Sequence, residues 1–311
     1  MQSYAFIFPG QGSQHAGMGK ELADNFQIAA RTFQEADDAL GFKLSTMCFE
    51  GPEEDLKLTA NTQPAILAAS VAALRVLREE SPLKASFVAG HSLGEYSALV
   101  AAGALDFADA LRTVRARGTY MQEAVPVGVG AMAAILGVET DLLKEICDEA
   151  AQGEVVSPAN FNSPGQIVIA GHAGAVNRAI EIAKAKGFRK AMLLPVSAPF
   201  HCALMQPAAD RLAKTLESVQ ANTLTTPVVS NVEAKPNSDA SRVKPLLVEQ
   251  VCSPVLWDAS VQQMVADGVT GFIEIGPGKV LAGLVKRISK ESATVNVQDV
   301  AGVKALVEGA I

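Results

Sequence analysis

Ser92 stands between two glycines in Gly90-His91-Ser92-Leu93-Gly94, after the apolar run Phe87-Val88-Ala89 and before a helix-forming stretch, Glu95 to Ala102. A serine at such a strand-to-helix junction fits a nucleophile elbow. The glycines allow a sharp turn that presents the hydroxyl at a helix N-terminus, where backbone N–H groups stabilise developing negative charge. The chemistry this suggests is covalent acyl chemistry on Ser92.

A serine nucleophile needs a proton acceptor, and histidine is the usual one because it titrates near neutrality. The chain has four histidines: His15, His91, His172 and His201. His91 abuts the serine, so its side chain is expected to point away from the side Ser92 faces. His15 lies in a glycine-rich loop, and His172 follows a strand. His201, in Ser197-Ala198-Pro199-Phe200-His201, falls where the chain passes between two units, a good place to face a cleft. Elimination therefore favours His201 as the base, ahead of His15. No Asp or Glu follows it closely, so a distant residue or a backbone carbonyl must orient the imidazole.

Arg117 is the third such residue. Asp106 to Glu123 reads as a helix with Phe107, Ala110, Leu111, Val114, Gly118 and Met121 on one stripe, and Arg117 falls inside that stripe. A guanidinium on an apolar face needs a partner. That partner is either a structural carboxylate or a substrate carboxylate gripped by two parallel hydrogen bonds. The loop Phe8-Pro9-Gly10-Gln11-Gly12-Ser13-Gln14 is neither a dinucleotide fingerprint, since His15 occupies the third glycine position, nor a P-loop. It reads equally as an oxyanion-binding loop or as a tight strand–helix connection.

These residues need a scaffold, and composition bounds it. The chain has 311 residues, 49% hydrophobic and 5% aromatic, with a formal charge of −7. That suits an α/β enzyme and gives no basic tract for nucleic acid. Tyr4 to Pro9 is too short for a signal segment, no apolar run approaches bilayer length, and Cys48, Cys147, Cys202 and Cys252 lack metal or disulfide spacing. A soluble, cytoplasmic, monomeric protein without a metal is expected.

Between Val129 and Ser197 the pattern runs strand (Ala131–Leu136), helix (Thr140–Ala150), strand (Val155–Phe161), turn (Asn162-Ser163-Pro164-Gly165), strand (Gln166–Ala170), helix (Ala173–Lys186) and strand (Ala191–Val196). This β-α-β-β-α-β order is that of a ferredoxin-like insert. The flanking runs Tyr4–Phe8, Phe87–Ala89, Val228–Ser230 and Phe272–Ile275 read as strands of a parallel sheet. The expected fold is a large α/β-hydrolase-like domain, residues 1–126 and 199–311, with a small ferredoxin-like domain over 127–198.

Gly10 to Gln14, Thr62-Gln63-Pro64-Ala65, Gly90 to Glu95, Arg117, Asn160 to Gln166, Pro199-Phe200-His201, Gln250 through Pro254-Val255-Leu256-Trp257, and Glu274-Ile275-Gly276-Pro277-Gly278 form a joint pattern. In that order, nearly end to end, they resemble the malonyl-CoA:acyl carrier protein transacylases of type II fatty acid synthesis. The resemblance implies that Ser92 takes a malonyl group from coenzyme A and passes it to the phosphopantetheine thiol of acyl carrier protein. It implies His201 as general base and then acid, Gln250 holding the imidazole through its main-chain carbonyl, and the N–H groups of Gln11 and Leu93 as oxyanion hole. Arg117 would clamp the malonyl carboxylate, with Gln63, Met121, Asn160 and Asn162 lining the cleft. Phe200 matches the members that select malonyl over its 2-methyl analogue. No bound cofactor is implied, because the thioester carries the energy and the acceptor brings its own arm. The basic groups Lys184, Lys186, Arg189, Lys190 and Lys279, Lys286, Arg287, Lys290 read as solvated faces or as contacts for an acidic carrier protein.

Two other classes share these motifs: a serine hydrolase, in which water resolves the acyl-serine, and a non-enzymatic docking domain that keeps the fold. A transacylase of specialised polyketide synthesis has the same residues.

Overall fold

In the computed structural model, which describes residues 3–196 and 198–309, the short apolar runs line up as one sheet. Its strands are β1 (Tyr4–Phe8), β2 (Phe87–Gly90), β7 (Val228–Val229), β8 (Pro236–Asn237), β9 (Gly271–Ile275) and β10 (Ala293–Val297), in the order β10-β9-β1-β2-β7-β8. All pairs are parallel except the edge pair β7–β8. β9 is buried along its whole length and β1 from its second residue on, as expected of parallel strands covered on both faces. Two strands go beyond the sequence expectation. β8 is a two-residue antiparallel edge, and β10 is only half buried, so neither carries a strong apolar signal.

Helices fill the intervals. α1 (Lys20–Asn25), α2 (Gln27–Leu40), α3 (Leu44–Glu50), α4 (Glu53–Lys57) and α5 (Thr59–Glu80) separate β1 from β2. α6 (Gly94–Ala101) and α7 (Phe107–Glu123) follow β2. α5 is buried along almost its entire length, with α2, α6 and α7 packed against it. This explains why its apolar residues show little one-sidedness. The apolar stripe of α7 faces this interior: Phe107, Ala110, Leu111, Val114, Gly118 and Met121 are buried, and Arg117 with them.

A second sheet comprises β3 (Gly130–Leu136), β4 (Val156–Ser163), β5 (Gln166–His172) and β6 (Ala191–Leu193), in the order β4-β5-β3-β6 and antiparallel throughout. α8 (Thr140–Ala151) and α9 (Ala173–Ala185) pack on it around a core of its own that includes Ile135, Leu143, Ile146, Ile169 and Ile180. Element types and chain order match the sequence reading, with shifted ends. β4 extends to Ser163, which confines the turn to Pro164-Gly165. β6 stops at Leu193 because the backbone then turns, with Val196 N donating to Leu194 O at 2.9 Å. Ser197 lies outside the described residues, as do residues 1, 2, 310 and 311 of the expected domain spans.

The chain then forms α10 (Gln206–Glu217), α11 (Ala240–Cys252), α12 (Trp257–Ala266), α13 (Val280–Ile288) and α14 (Val300–Val307). From β1 the large sheet grows one way through β2, β7 and β8, then resumes on the other side of β1 with β9 and β10. At such a reversal the loops beyond the carboxyl ends diverge and leave a crevice. The loop after β1 and the turn after β2 both lie there.

Candidate active site

The β2–α6 turn is tight enough to require glycine at both ends. A Cβ on Gly90 would sit 2.0 Å from Gly94 C, and one on Gly94 would sit 2.2 Å from Phe8 O. Between them Ser92 adopts φ 51, a left-handed conformation that costs a non-glycine residue on the order of 1–3 kcal/mol. The surroundings hold it there. Ser92 N donates to Asn231 Oδ1 at 2.7 Å, and Ser92 O accepts from Gln250 Nε2 at 3.0 Å. His201 is also left-handed, at φ 59.

Ser92 Oγ lies 2.7 Å from His201 Nε2, and His201 Nδ1 lies 2.8 Å from the main-chain oxygen of Gln250. A carbonyl oxygen can only accept, so Nδ1 carries the hydrogen and Nε2 keeps its lone pair for the serine. Arg117 Nη2 reaches the same Ser92 Oγ at 3.1 Å. Arginine can only donate, so Oγ accepts from Arg117 and is free to donate its own proton to Nε2. His201 is 3% exposed. Burial, reinforced by the Arg117 charge, pushes its pKa down from 6.5 to about 3, so the ring stands neutral and ready to accept a proton.

Arg117 is 1% exposed. It donates to Gln63 Oε1 at 2.8 Å and to Gln250 Oε1 at 2.9 Å, and its guanidinium lies 5.6 Å from the centre of the Tyr96 ring. Among the described residues no carboxylate lies within ion-pair distance of it, and Nε is buried without a partner. The sequence left open a structural carboxylate or a substrate carboxylate as its mate. Here neutral amide oxygens take that place, an arrangement that can receive an incoming anion.

A cavity of about 130 Å³ joins these groups, lined by Gln11, Gln63, Leu93, Met121, Asn160 and Phe200 together with Ser92, Arg117, His201 and His91. This is below the usual range for larger ligands and suits a short acyl unit. A second cavity of about 250 Å³ shares Gln11, His91, Asn160 and Leu194 with it and extends past Asn162, Gln166, Val280 and Leu284.

Two expectations change. Asn162 does not line the cavity at Ser92. Its Oδ1 pairs with His91 Nε2 at 2.8 Å and it borders the adjoining cavity instead. His91 does not turn fully away either, since its ring packs 5.8 Å from Trp257 and still borders the cavity at Ser92. The reason is a break in the strand register: Phe161 lies opposite Ile167 and Ser163 opposite Gln166, which leaves Asn162 unpaired at an irregularity of β4 and turns it toward the histidine next to the elbow. Of the other histidines, His15 bonds Ala16 O and His172 accepts from Val155 N, both away from Ser92.

Two residues of the site carry no clear mark in the sequence. Asn231 follows β7 and pins the elbow from both sides, with Nδ2 donating to Gly90 O at 2.7 Å while Oδ1 takes Ser92 N. Glu95, a carboxylate within the otherwise apolar α6, is 3% exposed and accepts from Asn231 N at 3.0 Å and Gln250 Nε2 at 2.9 Å. Burial raises its pKa from 4.5 to about 7, with those hydrogen bonds and Arg117 opposing the rise. The sequence placed Glu95 at the end of the Gly90-to-Glu95 motif without giving it a role, and its local signal was a charged residue directly after the elbow.

The basic groups are partly engaged: Lys184 pairs with Glu181, Lys186 with Glu149, and Arg287 donates to Gln166. Among the described residues no helix is long and apolar enough to cross a membrane.

Comparison with known proteins places the chain in a family. The acyl transferase domain family matches residues 5–306. The malonyl CoA-acyl carrier protein transacylase of Escherichia coli (strain K12) is 53% identical over 288 residues, 93% of each chain. An acyl carrier protein S-malonyltransferase from Vibrio cholerae superposes with a TM-score of 0.96 at 51% identity, covering 98% of this chain and 100% of that one. A malonyl-transacylase solved with a type II PKS acyl-carrier protein superposes with a TM-score of 0.96 at 49% identity over 99% of both chains. The chain belongs to the acyl transferase domain family and, within it, to the malonyl CoA-acyl carrier protein transacylases.

Proposed function

We propose that this chain moves a malonyl group from malonyl-CoA to the phosphopantetheine thiol of an acyl carrier protein, through a malonyl ester on Ser92. The observation that carries the reading is the convergence on one oxygen: Ser92 Oγ faces a neutral imidazole at 2.7 Å and a buried guanidinium at 3.1 Å. The first equips the oxygen as a nucleophile, and the second selects an acyl group with a distal carboxylate.

In the first half-reaction Oγ attacks the thioester carbonyl and gives its proton to His201 Nε2. The oxyanion is held by the N–H groups of Gln11 and Leu93, whose residues border the same cavity. Collapse breaks the C–S bond, and the departing sulfur takes the proton from His201, which leaves malonyl-Ser92 and CoA thiol. In the second half the carrier's thiol gives its proton to Nε2 and attacks the ester carbonyl. Collapse breaks the C–Oγ bond and returns the proton to Oγ. Gln250 O holds the imidazole for both halves. Arg117, with Gln63 and Met121 beside it, takes the malonyl carboxylate, Phe200 crowds the α-carbon, and Asn160 lines the cavity. Asn162 acts one step away, through His91. The adjoining cavity, with apolar walls and the amides of Asn162 and Gln166, suits the alternating methylenes and amides of a phosphopantetheine arm. No cofactor is needed beyond the thioester donor and the thiol acceptor.

This reading takes the larger unit, residues 1–126 and 199–311, as α/β-hydrolase-like and 127–198 as ferredoxin-like, with the reacting groups between them. The order β4-β5-β3-β6 supports the second description. The protein is read as a cytoplasmic monomer.

Incubation with radiolabelled malonyl-CoA and holo carrier protein tests the assignment. Label on the carrier is expected. Malonic acid released at the rate of CoA release, with no labelled carrier, would overturn transfer in favour of hydrolysis.

A further inference from the structure

We propose that Glu95 is the counter-charge of Arg117, joined to it through the side-chain amide of Gln250, and that it takes up a proton when an acyl carboxylate settles on Arg117. The proposal rests on the malonyl reading above and adds a proton to it.

Two opposite charges are buried here with no direct ion pair. The Gln250 side chain bridges them: its Oε1 accepts from Arg117 at 2.9 Å and its Nε2 donates to Glu95 Oε2 at 2.9 Å. The amide is therefore polarised in one sense, with its acceptor toward the cation and its donor toward the anion. Reversing it would set like partners face to face at both ends. The same Nε2 holds Ser92 O, so the bridge runs directly beneath the nucleophile.

Other charged groups leave Glu95 to Arg117. α6 itself adds Tyr96, the neighbouring turn adds His91, and the chain before α10 adds His201, which burial keeps neutral. On α5, Arg75 binds Glu35 and Arg78 binds Ala101 O at the far end of α6. On α7, Arg112 binds Asp109 and Arg115 binds Asn61. β2 and β7 bring no ionisable side chain, and Tyr4 lies at the far end of β1 from the elbow.

Above pH 7, with the substrate site empty, one buried cation balances one buried anion. A malonyl carboxylate on Arg117 adds a second anion to a desolvated site holding one cation, and neutralising Glu95 restores the balance. The proton comes from solvent and can sit on Oε1, because Oε2 keeps its two N–H donors. Glu95 titrates near 7 in the free protein, so the exchange falls within the working range. Acetyl brings no second anion and draws no proton.

The test uses Ser92→Ala, which binds without reacting, and calorimetry in buffers of differing ionisation enthalpy. Malonyl-CoA binding is expected to take up about one proton at pH 8 and close to none at pH 6. Its Kd should rise up to about tenfold per pH unit above 7 and stay level below it. Acetyl-CoA, with the same nucleotide phosphates, controls for their titration and is expected to show no such uptake. Adding Glu95→Gln should abolish the uptake and flatten the Kd profile. Malonyl-CoA binding with no uptake at pH 8, or with uptake unchanged by Glu95→Gln, overturns the proposal alone. Absence of malonyl-CoA binding overturns the malonyl reading and the proposal together. If the double variant does not fold, the pH slope of Ser92→Ala for malonyl-CoA against acetyl-CoA decides.

Discussion

Arg117 Nη2 lies 3.1 Å from Ser92 Oγ, so the cation and the nucleophile touch before substrate arrives. Acylation turns that hydroxyl into a weakly accepting ester oxygen and sets a carboxylate nearby in its place. The donor that Ser92 gives up is then satisfied by the group Ser92 has gained. An acyl unit without a carboxylate leaves the guanidinium with a buried, unmet donor.

Replacement of Ser92 by Ala should therefore abolish acylation. Transfer is expected to fall by at least about 10³-fold, as when other serine nucleophiles are removed. Intact-protein mass spectrometry after malonyl-CoA should show one malonyl adduct on the unsubstituted protein and none on Ser92→Ala.

Arg117→Ala should shift acyl preference. Loss of a buried charge-assisted contact is expected to lower malonyl kcat/KM by about 10²-fold or more. The acetyl-to-malonyl ratio should rise in steady-state assays with both thioesters. An unmoved ratio would exclude the carboxylate-clamp role.

The pH behaviour of His201 has a definite sign. Its folded pKa, about 3, lies below the unfolded value of 6.5. Between these the unfolded chain binds the extra proton, so this group's contribution to stability is present above 6.5 and is lost as pH falls toward 3. The slope can reach about 1.4 kcal/mol per pH unit. Urea unfolding across pH 4 to 7 should show part of that slope missing in His201→Ala, after allowance for the opposite slope of Glu95. Glu95, raised from 4.5 to about 7, stabilises below 4.5 and loses that contribution as pH rises through 7.

Gly94→Ala should damage the elbow rather than the chemistry alone. Its Cβ would meet a backbone oxygen at 2.2 Å, which no side-chain rotation can relieve. A loss of at least about 2 kcal/mol in chemical denaturation is expected, alongside reduced transfer. Ser92→Ala, by contrast, leaves the turn intact and is expected to cost less, about 1 kcal/mol, for the buried Arg117 donor it leaves without Oγ.

Gly90-His91-Ser92-Leu93-Gly94 was legible because an elbow is local: glycine spacing, a strand before and a helix after fix its shape. The helix carrying Arg117 was legible for a similar reason, since a charge inside an apolar stripe is visible at the helical period. The β-α-β-β-α-β order was also readable from alternating periodicities, apart from strand ends decided by pairing. β8 and β10 were not, because short or half-exposed edge strands carry little apolar pattern.

The sequence by itself determined the nucleophile's setting, the cation on its buried stripe and a short list of bases. Only the tertiary structure decided what meets at Ser92. His201 is 109 residues away along the chain and Gln250 158 residues away. Asn231 and Glu95 join them through hydrogen bonds that no local pattern encodes. Such contacts arise when separate elements converge at the carboxyl ends of β1 and β2, and burial there sets the charge states of His201 and Glu95. Side-chain identity supplies each group's possible chemistry, and desolvation with fixed partners selects which of it is used.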